Sequence, residues 1–324
     1  TGLAANSPDA TRSLRLATAA AFQSIILRLA GDVFAREACL GLGDRAADLT
    51  AAPRKGPTIP ARLLVLSLAA APLVWLFPGA VYETVAAALA IWFLAFVALR
   101  LVASLTSRRA PPALARLSDD RLPVYTIIAA LYREAGSVGD LVRAIRDLDY
   151  PREKLDVMFV VEPDDLETRA AIARLKDASA PRVVVAANDG PRTKPKALNC
   201  ALPFARGSFI AVYDAEDRPE PGQLRAALDA FRGNGEDVAC AQASLCIDNP
   251  SDSWLSRMFA AEYAAQFDVF LPGFAKFRLP LPLGGSSNHF RASALRHVAG
   301  WDAFNVTEDA DLGVRLARFG YRSV

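Results

Sequence analysis

The chain has 324 residues, with 37 basic against 35 acidic side chains, a formal charge of +2 and a mean hydropathy of +0.20. That balance gives no reason to expect nucleic acid, which calls for a concentrated basic surface. The hydropathy and the 52% hydrophobic share are high for a purely water-soluble chain.

Cys39, Cys200, Cys240 and Cys246 lack metal-ligand spacing and read as thiols of a reducing compartment. Starting at Thr1 instead of Met and stopping at Val324 within a pattern, the sequence reads as a piece of a longer protein.

Residues 1–56 are helical in pattern. Leu16, Phe22, Ile25, Ile26, Leu29, Val33 and Phe34 fall near one face, and Arg12, Arg15, Arg28 and Arg36 supply charge. The pattern predicts an amphipathic helix, packed on a neighbour or lying at a membrane surface. The run from Pro53 to Pro57 reads as a linker.

Residues 57–107 predict a transmembrane helical hairpin. Leu63 to Leu99 carries one charge, Glu83. About 20 apolar residues cross a bilayer, so this is length for two crossings around a turn at Phe77-Pro78-Gly79-Ala80. Arg54, Lys55 and Arg62 precede it, and Arg100, Arg108, Arg109 and Arg116 follow. The positive-inside rule places both flanks in the cytoplasm.

Across residues 108–324 the period changes. Apolar runs at Val124–Leu131, Asp156–Val161, Arg182–Ala187, Phe209–Tyr213 and Val238–Ile247 predict strands. Helical spacing runs from Val138 to Leu148, Glu167 to Lys176, Lys196 to Ala205 and Pro221 to Phe231. This alternation predicts an α/β fold with a mostly parallel sheet covered by helices on both faces. Trp254 to Phe270 mixes aromatic and charged residues. It predicts either a helix packed on the sheet or, with Phe274 to Leu279, a membrane-interface element.

The strand Phe209–Tyr213 ends in Asp214-Ala215-Glu216-Asp217. Ligands of open α/β sheets bind at the carboxyl ends of strands. Mg²⁺ there takes one or two protein carboxylates and completes its shell with water and phosphate oxygens. Asp214 and Glu216, with Asp217 in reserve, suit a metal-bound nucleotide diphosphate; the ordinary alternative is a solvated acidic turn. Glu162, Asp164 and Asp165 end the second strand, where acids hold a base or ribose or simply start a helix. Lys196 in Arg192-Thr193-Lys194-Pro195-Lys196 brings positive charge to a helix start. Gly284-Gly285-Ser286-Ser287 allows close approach of backbone to a ligand. Thr307-Glu308-Asp309 precedes a helical run as a cap with acids in its first turn.

In order and spacing these pieces resemble glycosyltransferase family 2, in its membrane-embedded, cellulose synthase-like branch, from about Pro123 to Val324. The resemblance implies a GT-A-type fold and a nucleotide-sugar site formed by Glu162, Asp164, Asp165, Lys196 and Asp214. It aligns the DxD motif with Asp214 and Glu216 as ligands of Mg²⁺ or Mn²⁺, with Glu in place of the second Asp. It aligns the TED motif with Thr307, Glu308 and Asp309, the last as catalytic base. It puts Gly285, Ser286, Glu308 and Trp301 beside the acceptor sugar. The implied reaction is inverting transfer from a nucleotide donor, UDP-glucose first, to a growing β-glucan, or a single transfer to a lipid or glycan. A silent regulatory subunit is the reading from another class. The implied setting is a bacterial-type inner membrane, multi-pass, with a cytoplasmic catalytic domain and a regulatory domain or export partner upstream. The family's QxxRW motif is not in this chain.

Overall fold

The computed structural model describes residues 18–53, 61–106, 114–175 and 180–324. Arg12, Arg15 and Leu16, most of the Pro53–Pro57 linker, Arg108, Arg109 and Lys176 lie outside the described residues.

Seven strands form one sheet: β1 (Tyr125–Leu131), β2 (Leu155–Val161), β3 (Arg182–Val185), β4 (Phe209–Tyr213), β5 (Val238–Gln242), β6 (Asn288–Arg291) and β7 (Arg322–Ser323). Their order is β3-β2-β1-β4-β6-β5-β7. All pairs are parallel except those of β6, which runs antiparallel to both β4 and β5. Alternate side chains along a strand face opposite ways, and both faces here are apolar. Ile128, Met158, Val160, Ile210 and Val212 join one core with Leu198 and Ala201 of α6 (Lys194–Ala201). Ile127, Ala129, Phe159, Val161, Ala211 and Tyr213 join the other. That second face is covered by α4 (Val138–Arg146), α5 (Leu166–Ala173) and α7 (Gln223–Asn234). The expected doubly covered, mostly parallel GT-A-type sheet is what forms.

Strand β6 was not expected, because Asn288-His289-Phe290-Arg291 lacks an apolar run. His289 is 1% exposed between Tyr125 and Tyr213, and its Nδ1 shares a hydrogen bond with the Tyr125 hydroxyl at 2.8 Å. Burial pushes its imidazole down to about 3.

The N-terminal helix α1 (Ala19–Arg45) does pack on a neighbour, and by part of the expected stripe: Ile26 packs on the core and the Phe34 ring lies 5.5 Å from that of Phe204. Phe22, Ile25, Leu29 and Val33 are exposed, while Ala35, Ala38 and Leu42 are buried. Small residues on that side let α1 approach α6 closely. The Gln23 amide donates to the Val183 carbonyl on edge strand β3 at 3.0 Å, which fixes the helix's rotation.

Two apolar helices follow, α2 (Ala61–Leu76) and α3 (Pro78–Thr106). Among the described residues, one helix, Pro78–Thr106, is long and apolar enough to cross a membrane. Helix α2 has 16 residues and contains Pro72, which falls short of a second crossing. The expected turn reduces to Phe77, since Pro78 and Gly79 already belong to α3 and Pro suits a helix's first position. Among the described residues a hairpin of two crossings is therefore not shown.

The end of α3 rests on the Trp254–Lys276 element. This comprises α8 (Trp254–Ala264), a π-helical turn (Ala265–Phe270) and α9 (Leu271–Lys276). Trp254, Leu255, Met258 and Phe259 are exposed, whereas Phe267 and Phe274 pack on the core, so the element divides between its two expected roles. The Arg100 guanidinium lies 3.8 Å from the Phe270 ring centroid, and Lys276 donates to the Thr106 carbonyl. Gly273 permits the crossing, since a β-carbon there would lie 2.4 Å from the Ala103 carbonyl oxygen.

Gly273→Ala should therefore destabilise the detergent-solubilised protein by about 1–3 kcal/mol, the range for overpacking a tight contact, read by thermal unfolding. His289 gives a pH signature. Its folded pKa is depressed, so its stability contribution is complete above pH about 6.5 and lost as pH falls toward 3. The loss is on the order of 5 kcal/mol by pH 3. His289→Gln should flatten the stability-versus-pH curve between about pH 6 and pH 4.

Candidate active site

The expected residues collect at the carboxyl ends of β2 and β4. Asp214 follows β4, and its Oδ1 lies 2.5 Å from Lys194 Nζ. Lys194 also donates to the Gly285 carbonyl at 2.6 Å. A β-carbon at Gly285 would sit 3.4 Å from Asp309 Oδ2, so the helix that carries Asp309 faces this loop directly. Asp309 stands in the first turn of α11 (Glu308–Arg318), where its Oδ1 accepts from the Ala310 N–H at 2.8 Å. Thr307 takes the N-cap position, but its hydroxyl turns to Asn305 and makes no cap bond.

The electrostatics show a site short of positive charge. Burial pushes the Asp214 carboxyl up; Lys194 opposes the shift, and Glu216 and Asp309 add to it. Glu308 is pushed up by burial, opposed by its own N–H and by Lys194, and raised further by Asp309 and Asp214. Burial also raises Asp217, against hydrogen bonds from Ser286 and the Asp214 N–H. Among the described residues no group of three His, Cys, Asp or Glu converges as a ready metal cage. The donor set nonetheless fits a hard divalent cation. Asp214 already holds an ammonium, and an exposed Glu216 stands beside it. One or two carboxylates suffice when phosphate completes the shell.

Asp217 ties the loops together. Its Oδ2 accepts from the Asp214 N–H at 2.8 Å and from the Ser286 hydroxyl. With that oxygen doubly engaged, Glu216 is the freer partner of Asp214. The Gly-Ser segment is held by the Ser287 N–H to the Val212 carbonyl at 2.9 Å, with Ser287 in the left-handed region at φ 53°.

Four expectations are corrected. Lys196 is 0% exposed; its ammonium is enclosed, donating to the Ala187 carbonyl at 2.7 Å with Glu162 Oε1 at 3.5 Å. Lys194 takes its place at the site. Pro195 held the signal: proline favours the first helical turn, which puts Lys194 on the rim and turns Lys196 inward. Trp301 is 3% exposed and packs edge-on against Phe290, so it offers no face to a sugar. Ser286 is buried and its hydroxyl is committed to Asp217. Asp165 caps α5, with Oδ1 taking the Thr168 N–H at 3.1 Å and Oδ2 the Arg133 N–H at 2.5 Å. That leaves the end of β2 to Glu162 and Asp164. Glu162 is buried, and among the described residues its Oε2 has no hydrogen-bond partner. Asp164 pairs with Arg192 at 2.8 Å, a residue the sequence reading did not single out.

Residues 122–324 match the profile of glycosyltransferase like family 2. The chain belongs to this family. It is 27% identical over 200 residues to a β-monoglucosyldiacylglycerol synthase of Trichormus variabilis, covering 60% of this chain and 41% of that one. It is 26% identical over 215 residues to a probable glucomannan 4-β-mannosyltransferase of Arabidopsis thaliana, covering 64% and 39%. The chain thus spans less than half the length of these curated relatives. In fold it is similar to the mannosyltransferase PcManGT of Pyrobaculum calidifontis, solved with GDP-mannose and Mn²⁺. The TM-score is 0.53 at 22% identity, over 71% of this chain and 63% of that one.

The raised carboxyls make a stability prediction. The folded protein retains protons that the unfolded chain releases, so this contribution is complete below pH about 4 and is lost as pH rises through the folded values. Asp214→Asn should raise the melting temperature by about 3 °C at pH 8 and leave it unchanged near pH 4, measured by thermal unfolding without divalent metal.

Proposed function

We propose that this family 2 chain carries out inverting transfer of a single sugar from a nucleotide diphosphate donor to a membrane-held lipid hydroxyl. The observation that carries the reading is that Asp214, paired with Lys194 at the carboxyl end of β4, and Asp309 of α11 meet at the Gly285 loop, which accepts from Lys194 and faces Asp309. Glu162, with its unpartnered oxygen, would take the nucleoside, and Asp164 with Arg192 would border it. Asp214 and Glu216 would hold Mg²⁺ or Mn²⁺, which when bound offsets charge on the leaving diphosphate. Lys194 would leave Asp214 for the phosphates and supply a second positive charge there. Asp309 would accept the proton of the acceptor hydroxyl as general base. A base with no protein nucleophile makes the transfer a direct displacement, so an α-linked donor gives a β-linked product.

The lipid acceptor is supported by how the site loop meets the apolar helix. A β-carbon on Gly284 would lie 2.9 Å from the Phe267 ring. Phe267 belongs to the π turn that continues into α9, and α9 is seated on α3 through Gly273. The acceptor side of the site thus adjoins the helix suited to a bilayer. The relative in Trichormus variabilis bears a glycolipid synthase's name. Elongation of a β-linked polysaccharide such as a β-glucan is the second reading, favoured by the name of the Arabidopsis thaliana relative.

The test uses full-length protein in membranes with Mg²⁺ or Mn²⁺, labelled UDP- and GDP-sugars and diacylglycerol. Nucleotide diphosphate release with label in a small lipid product is expected. Asp309→Asn should lower kcat by about 10²–10⁴, and chelation of divalent metal should abolish release. Label confined to high-mass material would replace this reading with elongation. Wild-type turnover in Asp309→Asn would remove the assignment of the base.

A further inference from the structure

The family profile begins at residue 122, yet the loop that delivers Asp309 is held in part from far upstream. Residues 298–307 lead into α11. From α11, the buried Arg315 donates through Nη1 to the carbonyls of Val298 at 2.5 Å and Gly300 at 2.8 Å. From α6, the Asn199 amide closes on Trp301 both ways, accepting from its N–H at 2.9 Å and donating to its carbonyl at 2.7 Å. Gly300 makes room for this with φ +67°, since a β-carbon there would lie 2.4 Å from Asn199 Oδ1. Thr193 donates to the Ala303 carbonyl at 2.7 Å.

The remaining side is the strap between α1 and the apolar helices. The Thr50 hydroxyl donates to Asp302 Oδ1 at 3.0 Å, and the Ala51 N–H to Asp302 Oδ2 at 2.6 Å. Asp302 is 1% exposed, and its Oδ1 also accepts from the Phe304 N–H at 3.1 Å. A buried carboxylate deprived of donors is strongly unfavourable. Without the strap, Asp302 would have to turn toward water and draw the loop with it. Asn199 ties the same region to α1, donating to the Ala38 carbonyl at 3.0 Å.

We propose that Thr50 and Ala51, acting through Asp302, are positioning residues for Asp309, so that the segment leading to the apolar helices is a working part of the active site. The proposal rests on Asp309 being the base. It goes beyond the family domain, because a shift of α1 would reach the base through this strap.

The test compares Thr50→Val, Thr50→Ser and Ala51→Pro in full-length protein in membranes. Thr50 is extended, at φ −105° and ψ 143°, as a residue before proline must be, so Ala51→Pro removes the N–H without a clash at Thr50. The expected result is a kcat lower by roughly tenfold in Thr50→Val and Ala51→Pro, with donor KM within about twofold, as for a misplaced catalytic group. Thr50→Ser keeps the hydroxyl and should retain wild-type kcat. Amide hydrogen exchange across residues 298–307 should quicken in the two impaired variants. The proposal is overturned if kcat holds in both, if Thr50→Ser falls as far as Thr50→Val, or if only donor KM changes. Should Ala51→Pro fail to accumulate, the Thr50 pair decides. Asp309→Asn run in parallel separates the two ideas. An inactive Asp309→Asn beside unimpaired strap variants defeats this proposal alone, while an active Asp309→Asn defeats the base reading beneath it.

Discussion

One ammonium among several carboxylates governs this site. Asp214 enters from β4, and Glu308 and Asp309 enter from the first turn of α11. Each is better tolerated when positive charge is near, and Lys194 touches Asp214 while reaching across to Gly285. Burial and mutual repulsion still raise Asp214 and Glu308. The site is therefore folded around a deficit of positive charge. Sites of this kind place perturbed groups where a ligand supplies what the fold withholds. A cation on a diphosphate would complete the balance and release Lys194 for the phosphates.

The reversed strand makes that geometry possible. Because β6 runs antiparallel beside β4, the loop entering β6 arrives where β4 ends. Gly284 to Ser287 thus meets Asp214 and Asp217 directly, and the Ser286 hydroxyl and Ser287 N–H pin it there. A parallel strand in that position would deliver its entering loop to the opposite edge of the sheet. The buried His289 follows from the same arrangement. At mid-sheet the ring sits neutral between two tyrosines, and its place is fixed by packing.

Legibility in the sequence tracks how local each cause is. Strands β1, β2 and β4 announce themselves as apolar runs, and the carboxylates beyond them stand out because strand ends bind ligands. Strand β6 stays hidden, since its polar residues are accommodated only by cross-strand partners such as Tyr125. Lys194 and Lys196 look alike until helix phase is considered; two residues apart, one lies on the rim and the other in the core. Trp301 looks like a sugar platform because aromatic rings bind sugars, but its burial against Phe290 is a tertiary fact. On α1 the stripe divides: Ile26 and Phe34 pack inward beside the small Ala35 and Ala38, while Leu29 and Val33 face out.

Under the proposed function, the acceptor side and the apolar helix need a fixed relation, and the contacts supply one. Arg100 over Phe270 and Gly273 against Ala103 fasten α3 to α9. Phe267, in the π turn just before, packs against Gly284 of the site loop. A π turn inserts an extra residue into helical phase. Here it lets one continuous element present Trp254 to Phe259 outward and Phe267 to Phe274 inward. The outward aromatics suit the headgroup region of a bilayer, while the inward ones set the wall of the site. Under the proposed function, that change of face is what would hold the apolar helix and the acceptor side in one register.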